Sequence, residues 1–334
     1  MVRIKDVAAE AQVSTATVSR VLSDKPHVTE KIRARVLAAV EKLGYRPNQV
    51  ARTLRSQQSN TLGLVVSDIR NPFFTDVSRA VEDTAYALDY SVLLCNTDES
   101  PEKEVIYLRE MRDKHVAGVI FSPTRQTAEQ LNQLNIDMPL VVIDRAVNSM
   151  DVDTVLINNE EAAQRLTHHL VENGYRRIAG LFGETSITGM QRRAGLLHGL
   201  KQHNLQPIIS IVTQPKIAAG YNATLKLLSS TPRPDAIFAS NSLLATGALQ
   251  AIRETGLSIP HDVALVCFDD SPWTTLVQPD ITVIAQPTDE IGKTAVELLH
   301  ERITNPERTP RQVMLKGTLI PRGSSQPRNQ TTLV

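Results

Sequence analysis

The chain has 334 residues, too many for one small domain, and 41% of them are apolar, enough for sizeable cores. Its net charge is zero but unevenly spread: residues 1–58 carry 11 Lys/Arg against 5 Asp/Glu, which leaves 25 against 31 for the remainder. A basic head on an acidic body implies a polyanionic partner at one end only. No apolar run reaches the roughly 18 residues of a membrane span, and Met1-Val-Arg-Ile-Lys-Asp6 does not read as an export signal, so membrane and secreted roles are set aside. Cys95 and Cys267 each lie inside an apolar run and read as buried free thiols of a reducing cytoplasm. Cys/His spacing of the metal-binding kind and phosphate-cradling glycine loops are not seen, so neither metal nor cofactor is expected.

The first stretch, Ile4 to Leu22, reads as two short helices broken by a turn. Val7, Ala8 and Ala11 form one apolar face, and Val18, Val21 and Leu22 form a second at i, i+3, i+4 spacing. Between them Gln12-Val13-Ser14 makes the turn, with Ser14 placed to cap the second helix. Helices of two turns are unstable alone in water and must pack together on a third element. Thr29 to Leu43 supplies it, with Ile32, Val36, Ala39, Val40 and Leu43 on one face, Thr29 as N-cap and Gly44 at the C-terminal end. This is the pattern of a helix-turn-helix, whose second helix enters the DNA major groove. That helix exposes Thr15, Ala16, Thr17, Ser19 and Arg20.

Near Arg55 the head ends, and Ser56 to Asn60 reads as a polar linker, giving domains of 1–58 and 59–334. From Thr61 the pattern changes to short apolar runs alternating with helical stretches. The runs are 62–66, 91–95, 116–121, 140–143, 178–182, 208–212, 236–238, 263–268 and 281–284. Runs apolar on both faces between amphipathic helices imply buried parallel strands in βαβ units. So many strands favour two doubly wound parallel-sheet subdomains over one sheet; a β/α barrel is the alternative. Ligands bind outside the carboxyl ends of such strands. The residues that follow the runs include Asn71-Pro-Phe-Phe74, Asp144-Arg145, Arg192 to Gly195, Asn241, Asp269-Asp270 and Gln286. They form a set of hydrogen-bonding groups and two aromatics, suited to the hydroxyls and C–H faces of a sugar ring. No nucleophile–base–orienter set emerges, so an enzyme is not expected.

Ile4-Lys-Asp-Val-Ala, Val13-Ser-Thr-Ala-Thr-Val-Ser-Arg-Val-Leu, Gly44-Tyr-Arg-Pro-Asn and Ala51-Arg-Thr-Leu resemble the lactose-repressor (LacI/GalR) family of bacterial transcription regulators, and the resemblance runs over almost the whole chain. It implies an all-α helix-turn-helix head on an α/β body of periplasmic-binding-protein type, with an effector held between the subdomains. On the head it implies base contacts from Thr15, Ala16 and Arg20, and phosphate contacts from Ser14, Thr17 and Ser19. It makes Asn48 to Arg55 a hinge helix, with Asn48, Leu54 and Arg55 on DNA, ordered by DNA and a twin copy, and Leu54 wedged between base steps. On the body it places ligand roles on Phe73, Phe74, Asp144, Arg145, Arg192, Asn241, Asp269 and Gln286, a set that looks like a ribose-type pyranose site. The chain departs from the family at Asn241-Ser242, where Asn-Asp is usual, and at Ser23-Asp24, where Asn is frequent.

The expectation is therefore a cytoplasmic, homodimeric repressor on a palindromic duplex operator, controlled by a small monosaccharide. A sugar acid, a phosphosugar or a purine, as inducer or corepressor, and a sugar-binding module without regulation are the alternatives. The dimer contact is expected on the helix Thr75 to Leu88, the strand end Cys95 to Asp98 and the helix Leu243 to Glu254. A polar, frayed tail from Ser324 favours a dimer over a tail-built tetramer.

Overall fold

Helices α1 (Ile4–Glu10), α2 (Thr15–Leu22) and α3 (Glu30–Leu43) open a computed structural model that describes residues 2–22, 28–45, 59–134, 136–147, 152–212 and 214–328. The chain divides into two compact units, Met1–Ser59 and Asn60–Val334. In the first, Val7, Ala8, Ala11, Val18, Val21, Val36 and Ala39 close a small core. Gln12 takes the left-handed turn conformation (φ 48°), and Arg35 of α3 donates to the carbonyls of Ala11 and Gln12 and so ties the third helix to that turn. Ser14 caps α2, its Oγ accepting from Thr17 N at 3.1 Å. Thr29 holds the N-cap position of α3 with extended backbone, but without a side-chain capping bond.

The second unit contains two six-stranded sheets. One lobe carries β1 (Thr61–Val66), β2 (Ser91–Asn96), β3 (Gly118–Phe121), β4 (Leu140–Ile143) and β5 (Asp153–Ile157), with α4 (Pro72–Ala87), α5 (Pro101–Asp113) and α6 (Arg125–Gln130) between them. The other carries β6 (Ile178–Gly183), β7 (Ile208–Val212), β8 (Ala236–Ala239), β9 (Ala264–Phe268) and β10 (Thr282–Ala285), with α7 (Asn159–Glu172), α8 (Ile187–Gln202), α9 (Ile217–Leu228) and α10 (Ser242–Glu254). Then α11 (Thr288–Thr304) returns to the first lobe, β11 (Gln312–Leu315) joins the first sheet beside β5, and β12 (Thr318–Ile320) joins the second beside β10. The orders are β11-β5-β4-β3-β1-β2 and β12-β10-β9-β8-β6-β7. The chain thus crosses between lobes three times, at 157–159, 285–288 and 315–318.

Strands β5, β11 and β12 were not expected. β5 opens on Asp153, a charge that looks wrong for a buried strand. Yet Asp153 is fully buried, with its carboxylate contacted by Arg302 at 3.0 Å and Arg308 at 2.8 Å and accepting from Arg311 N at 2.8 Å. β11 and β12 are short and half-exposed, and β12 pairs antiparallel, an exception to the all-parallel reading. The edge strands β2 and β7 are also not buried on both faces, because each has a neighbour on one side only. Cys95, on β2, is accordingly half-exposed, whereas Cys267 is buried. The tail is anchored further than its composition suggests: Ser324 Oγ donates to Leu265 O at 2.6 Å, and Arg328 reaches Asp235 at 3.0 Å.

Candidate functional site

On the head, Ser14, Thr15, Ala16 and Arg20 are exposed, while Thr17 and Ser19 are half-buried. The hydroxyls of Ser14 and Thr17 lie 2.9 Å apart, and Ser14 also caps the helix, so both are engaged locally. That leaves Thr15, Ala16 and Arg20 as the outward row of α2. The expected contacts at Asn48, Leu54 and Arg55, and the departure at Ser23-Asp24, lie outside the described residues.

In the body, all eight expected effector residues line one cleft of about 210 Å³ between the lobes. From the first lobe come Phe73 and Phe74. Asn71 caps the amide of Phe73 at 3.2 Å and Pro72 occupies the first helical position, so α4 starts earlier than Thr75 and both rings sit in its first turn. The two rings meet edge to face at 5.0 Å. Asp144 and Arg145 follow β4, and Asp269 follows β9 at the matching position of the other lobe. Both aspartates are left-handed (φ 67° and 75°), a region where Asp is among the commoner non-glycine residues. Each amide is pinned to the adjacent strand, Asp144 N to Val155 O at 3.1 Å and Asp269 N to Ile284 O at 2.9 Å.

Arg192, buried on α8, donates Nε to Asn159 Oδ1 at 2.8 Å and Nη1 to Ser240 O at 2.6 Å, and its guanidinium lies 4.1 Å from the centroid of the Phe268 ring. Burial pulls its pKa down, against the opposing charges of Asp269 and Asp144. Burial pushes the Asp144 carboxyl up, opposed by Arg145 and Arg192. Asn241 caps α10 through Leu244 N at 2.9 Å. Gln286 sits on the second crossing and donates Nε2 to Asp269 Oδ1 at 2.5 Å, while its Oε1 is buried without a hydrogen-bond partner among the described residues.

Ser242, where the resemblance leads one to expect Asp, is not idle. Its amide donates to Asp269 Oδ2 at 3.2 Å, and its hydroxyl shares a 2.7 Å bond with Ser271 and accepts from Trp273 Nε1 at 3.1 Å. An Asp here would put a second buried carboxylate beside Asp269.

Several lining residues escaped sequence reasoning, among them Asp68, Arg70, Thr188, Gln214 and Lys216, and two more residues bear directly on the cleft arginines. Asn159 orients Arg192 and is itself held by Gln191 at 2.9 Å. Glu99 lies on Arg145. Asn159 follows β5, the strand whose buried charge disguised it. Glu99 follows β2, and reading one residue set further past that run would have reached it.

A helix-turn-helix with a bare second helix, on a chain whose other unit is a two-lobed binding body, defines a ligand-binding DNA-binding regulator. Comparison with known proteins agrees: residues 3–48 match the model for bacterial regulatory proteins of the lacI family, and residues 167–325 match a periplasmic binding protein-like domain. The chain is 38% identical to a ribose operon repressor of Halalkalibacterium halodurans over 91% of each chain, and 34% identical to the HTH-type transcriptional repressor PurR of Aliivibrio fischeri over 97% of this chain and 98% of that one. Among solved structures, the lac repressor dimer bound to operator and the anti-inducer ONPF superposes with a TM-score of 0.88 at 27% identity, covering 97% of this chain and 99% of that one. A lacI family regulator from Enterococcus faecium with bound ribose superposes with a TM-score of 0.71 at 30% identity, covering 80% of this chain and all of that one. The chain belongs to the lacI family of bacterial regulatory proteins.

Proposed function

We propose that this regulator is a repressor of carbohydrate-use genes whose operator binding is controlled by a neutral monosaccharide, ribose first, bound in the cleft. One observation carries the reading: two lobes present charged and amide groups toward a small cleft with a paired-aromatic floor. The cleft lies below the roughly 300–1,000 Å³ of pockets for drug-sized ligands. Five carboxylates face four cationic side chains around it, so it has no surplus of positive charge for a phosphate or an acid. Carboxylates accept from sugar hydroxyls, guanidiniums donate to them, and the vacant Gln286 Oε1 is a ready acceptor for one more. The eight residues are the proposed effector contacts; Arg192, Asp269 and Asp144 are its anchors.

At the other end, Arg20 reads a guanine O6/N7 edge as a bidentate pair, Thr15 and Ala16 lie against neighbouring base edges, and Ser14, Thr17 and Ser19 approach phosphates. Leu54 is the minor-groove wedge, flanked by Asn48 and Arg55. The protein acts in the cytoplasm as a homodimer on a palindrome, its head and linker ending near residue 58. Tyr86 and Leu88 are exposed apolar side chains at the end of the expected contact helix, which a partner copy would cover. Among the described residues no helix is long and apolar enough to cross a membrane.

The test is a calorimetric titration with ribose, other pentoses, fructose, gluconate and purines. Tight ribose binding supports the reading. A purine or phosphosugar bound in preference to every neutral sugar refutes the effector assignment and leaves the DNA role intact.

A further inference from the structure

The loop after β2 holds two consecutive left-handed residues, Asp98 at φ 54° and Glu99 at φ 60°. That conformation is unfavourable for a side chain as bulky as Glu, so surrounding contacts must enforce it. Thr97 N donates to Val66 O and Glu99 N to Ser67 O, both at 3.0 Å, and Ser100 caps α5 through Lys103 N at 3.3 Å. The loop delivers the Glu99 carboxylate onto the buried Arg145. One oxygen accepts from Nη1 at 2.8 Å and the other from Nη2. The second hydrogen of Nη1 goes to Pro123 O at 2.9 Å. On the guanidinium's other side, Nε lies 3.3 Å from Asp144 Oδ2.

A buried arginine fork is ordinarily the group that captures a carboxylate or phosphate in two parallel bonds. Here the fork is already filled by the protein's own carboxylate, and a second carboxylate flanks it. We propose that Glu99 sets the charge selectivity of the cleft: by occupying Arg145 it admits neutral polyhydroxylated ligands and excludes those bearing a carboxylate or phosphate. The proposal rests on the reading of the cleft as the effector site. A hydroxyl can donate to Glu99 or Asp144 and accept from the remaining Nη2 hydrogen. At Arg145 a ligand anion meets two carboxylates and no open fork. Glu104, which also faces Arg145 electrostatically, is spent on Thr124, accepting from its amide at 2.7 Å and its hydroxyl at 2.8 Å, and so takes no part.

The experiment titrates the full-length protein with ribose and with ribonate, its carboxylate counterpart, by calorimetry, using wild type, Glu99→Gln and Glu99→Asp. Like charges brought together in a partly desolvated site cost enough that wild type should take ribonate at least about 100-fold more weakly than ribose. Glu99→Gln retains an oxygen for Arg145 but no charge, and should narrow that gap to about tenfold or less; Glu99→Asp retains the charge and should keep it wide. The wild-type gap is read without any variant, and thermal unfolding confirms that the variants fold. Wild type that binds both equally, or a Glu99→Gln variant that binds ribose yet still rejects ribonate, overturns the proposal alone. Wild type that takes ribonate and not ribose overturns the effector reading beneath it as well.

Discussion

Replacing Asp269 by Asn keeps the size, shape and left-handed tolerance of the side chain while removing its charge. The aspartate accepts two bonds, from Gln286 Nε2 at 2.5 Å and from Ser242 N at 3.2 Å. The asparagine has one oxygen for these two donors, so one faces an NH₂ group instead and is left unsatisfied. A buried unsatisfied donor costs about 1–3 kcal/mol, so the ligand-free body should unfold at a modestly lower temperature. The larger effect is on the ligand. A hydrogen bond to a charged group contributes about 1.5–3 kcal/mol against about 1 for a neutral one, so affinity should fall by about 0.5–2 kcal/mol, more than 2-fold and up to about 30-fold. The assay is built into the chain. Trp273 is the sole tryptophan, and its indole donates to Ser242, the residue whose amide holds Asp269. Ligand closing on Asp269 should therefore change the intrinsic fluorescence, and a titration followed there gives Kd directly. Operator affinity without ligand should be unchanged, since the substitution is confined to the cleft. A folded Asp269→Asn variant whose ribose Kd stays within twofold of wild type would refute the anchoring role.

Arg20→Ala should cost about 1–3 kcal/mol on the cognate operator and much less on random duplex, read by fluorescence anisotropy; equal losses on both would make Arg20 a phosphate contact only. Leu54→Ala should reduce operator affinity and DNA bending in circular-permutation gel shifts while sparing ribose affinity, and unchanged bending would remove the wedge. Gly247→Ala would place a methyl 2.1 Å from Ile217 O and 2.5 Å from Tyr221 N, both backbone atoms, so α9 and α10 must part; overpacking of this kind costs about 1–3 kcal/mol, and an unchanged Tm would contradict the packing. Burial holds the pKa of His169 below the usual histidine range while its Nε2 meets Ser325 Oγ at 2.7 Å. The unfolded chain therefore binds the proton first, stability is lost as pH falls below about 6.5, and His169→Gln should flatten that loss in unfolding curves between pH 7 and 5.5.

Most of the architecture was legible because the physical signals were local. Among the described residues, apolar runs marked nine of the twelve strands, since a strand covered by helices on both faces has little room for polar residues. The rule that ligands meet the carboxyl ends of strands then led to Asp144, Arg145, Asn241 and Asp269 without any knowledge of the lobes. At Asp153 and Glu99 what the rule missed has one cause: pairing with distant partners. Asp153 starts a buried strand because Arg302 and Arg308, about 150 positions away, neutralise it, and no local pattern signals that. Asn159 was hidden with the strand before it. Glu99 is an ordinary loop glutamate until the fold sets it on Arg145. The half-exposed β2 and β7 were read as buried because an edge strand and a central strand share the same apolar composition; only sheet order distinguishes them. Ser242 illustrates the converse, a departure from the family pattern that looked like a loss and proves to be the bridge between Asp269 and Trp273.

A neutral sugar in the cleft should change the grip of the head on DNA. The most direct measurement of that change is the anisotropy-derived Kd of the full-length protein for a palindromic operator, selected from random duplexes, with and without saturating ribose. Coupling between sites in such regulators is typically about 1–3 kcal/mol, so ribose should shift the operator Kd by roughly 5- to 150-fold, weaker for an inducer and tighter for a corepressor. Ribose that saturates the cleft, as Trp273 fluorescence reports, yet leaves the operator Kd unchanged would contradict the account.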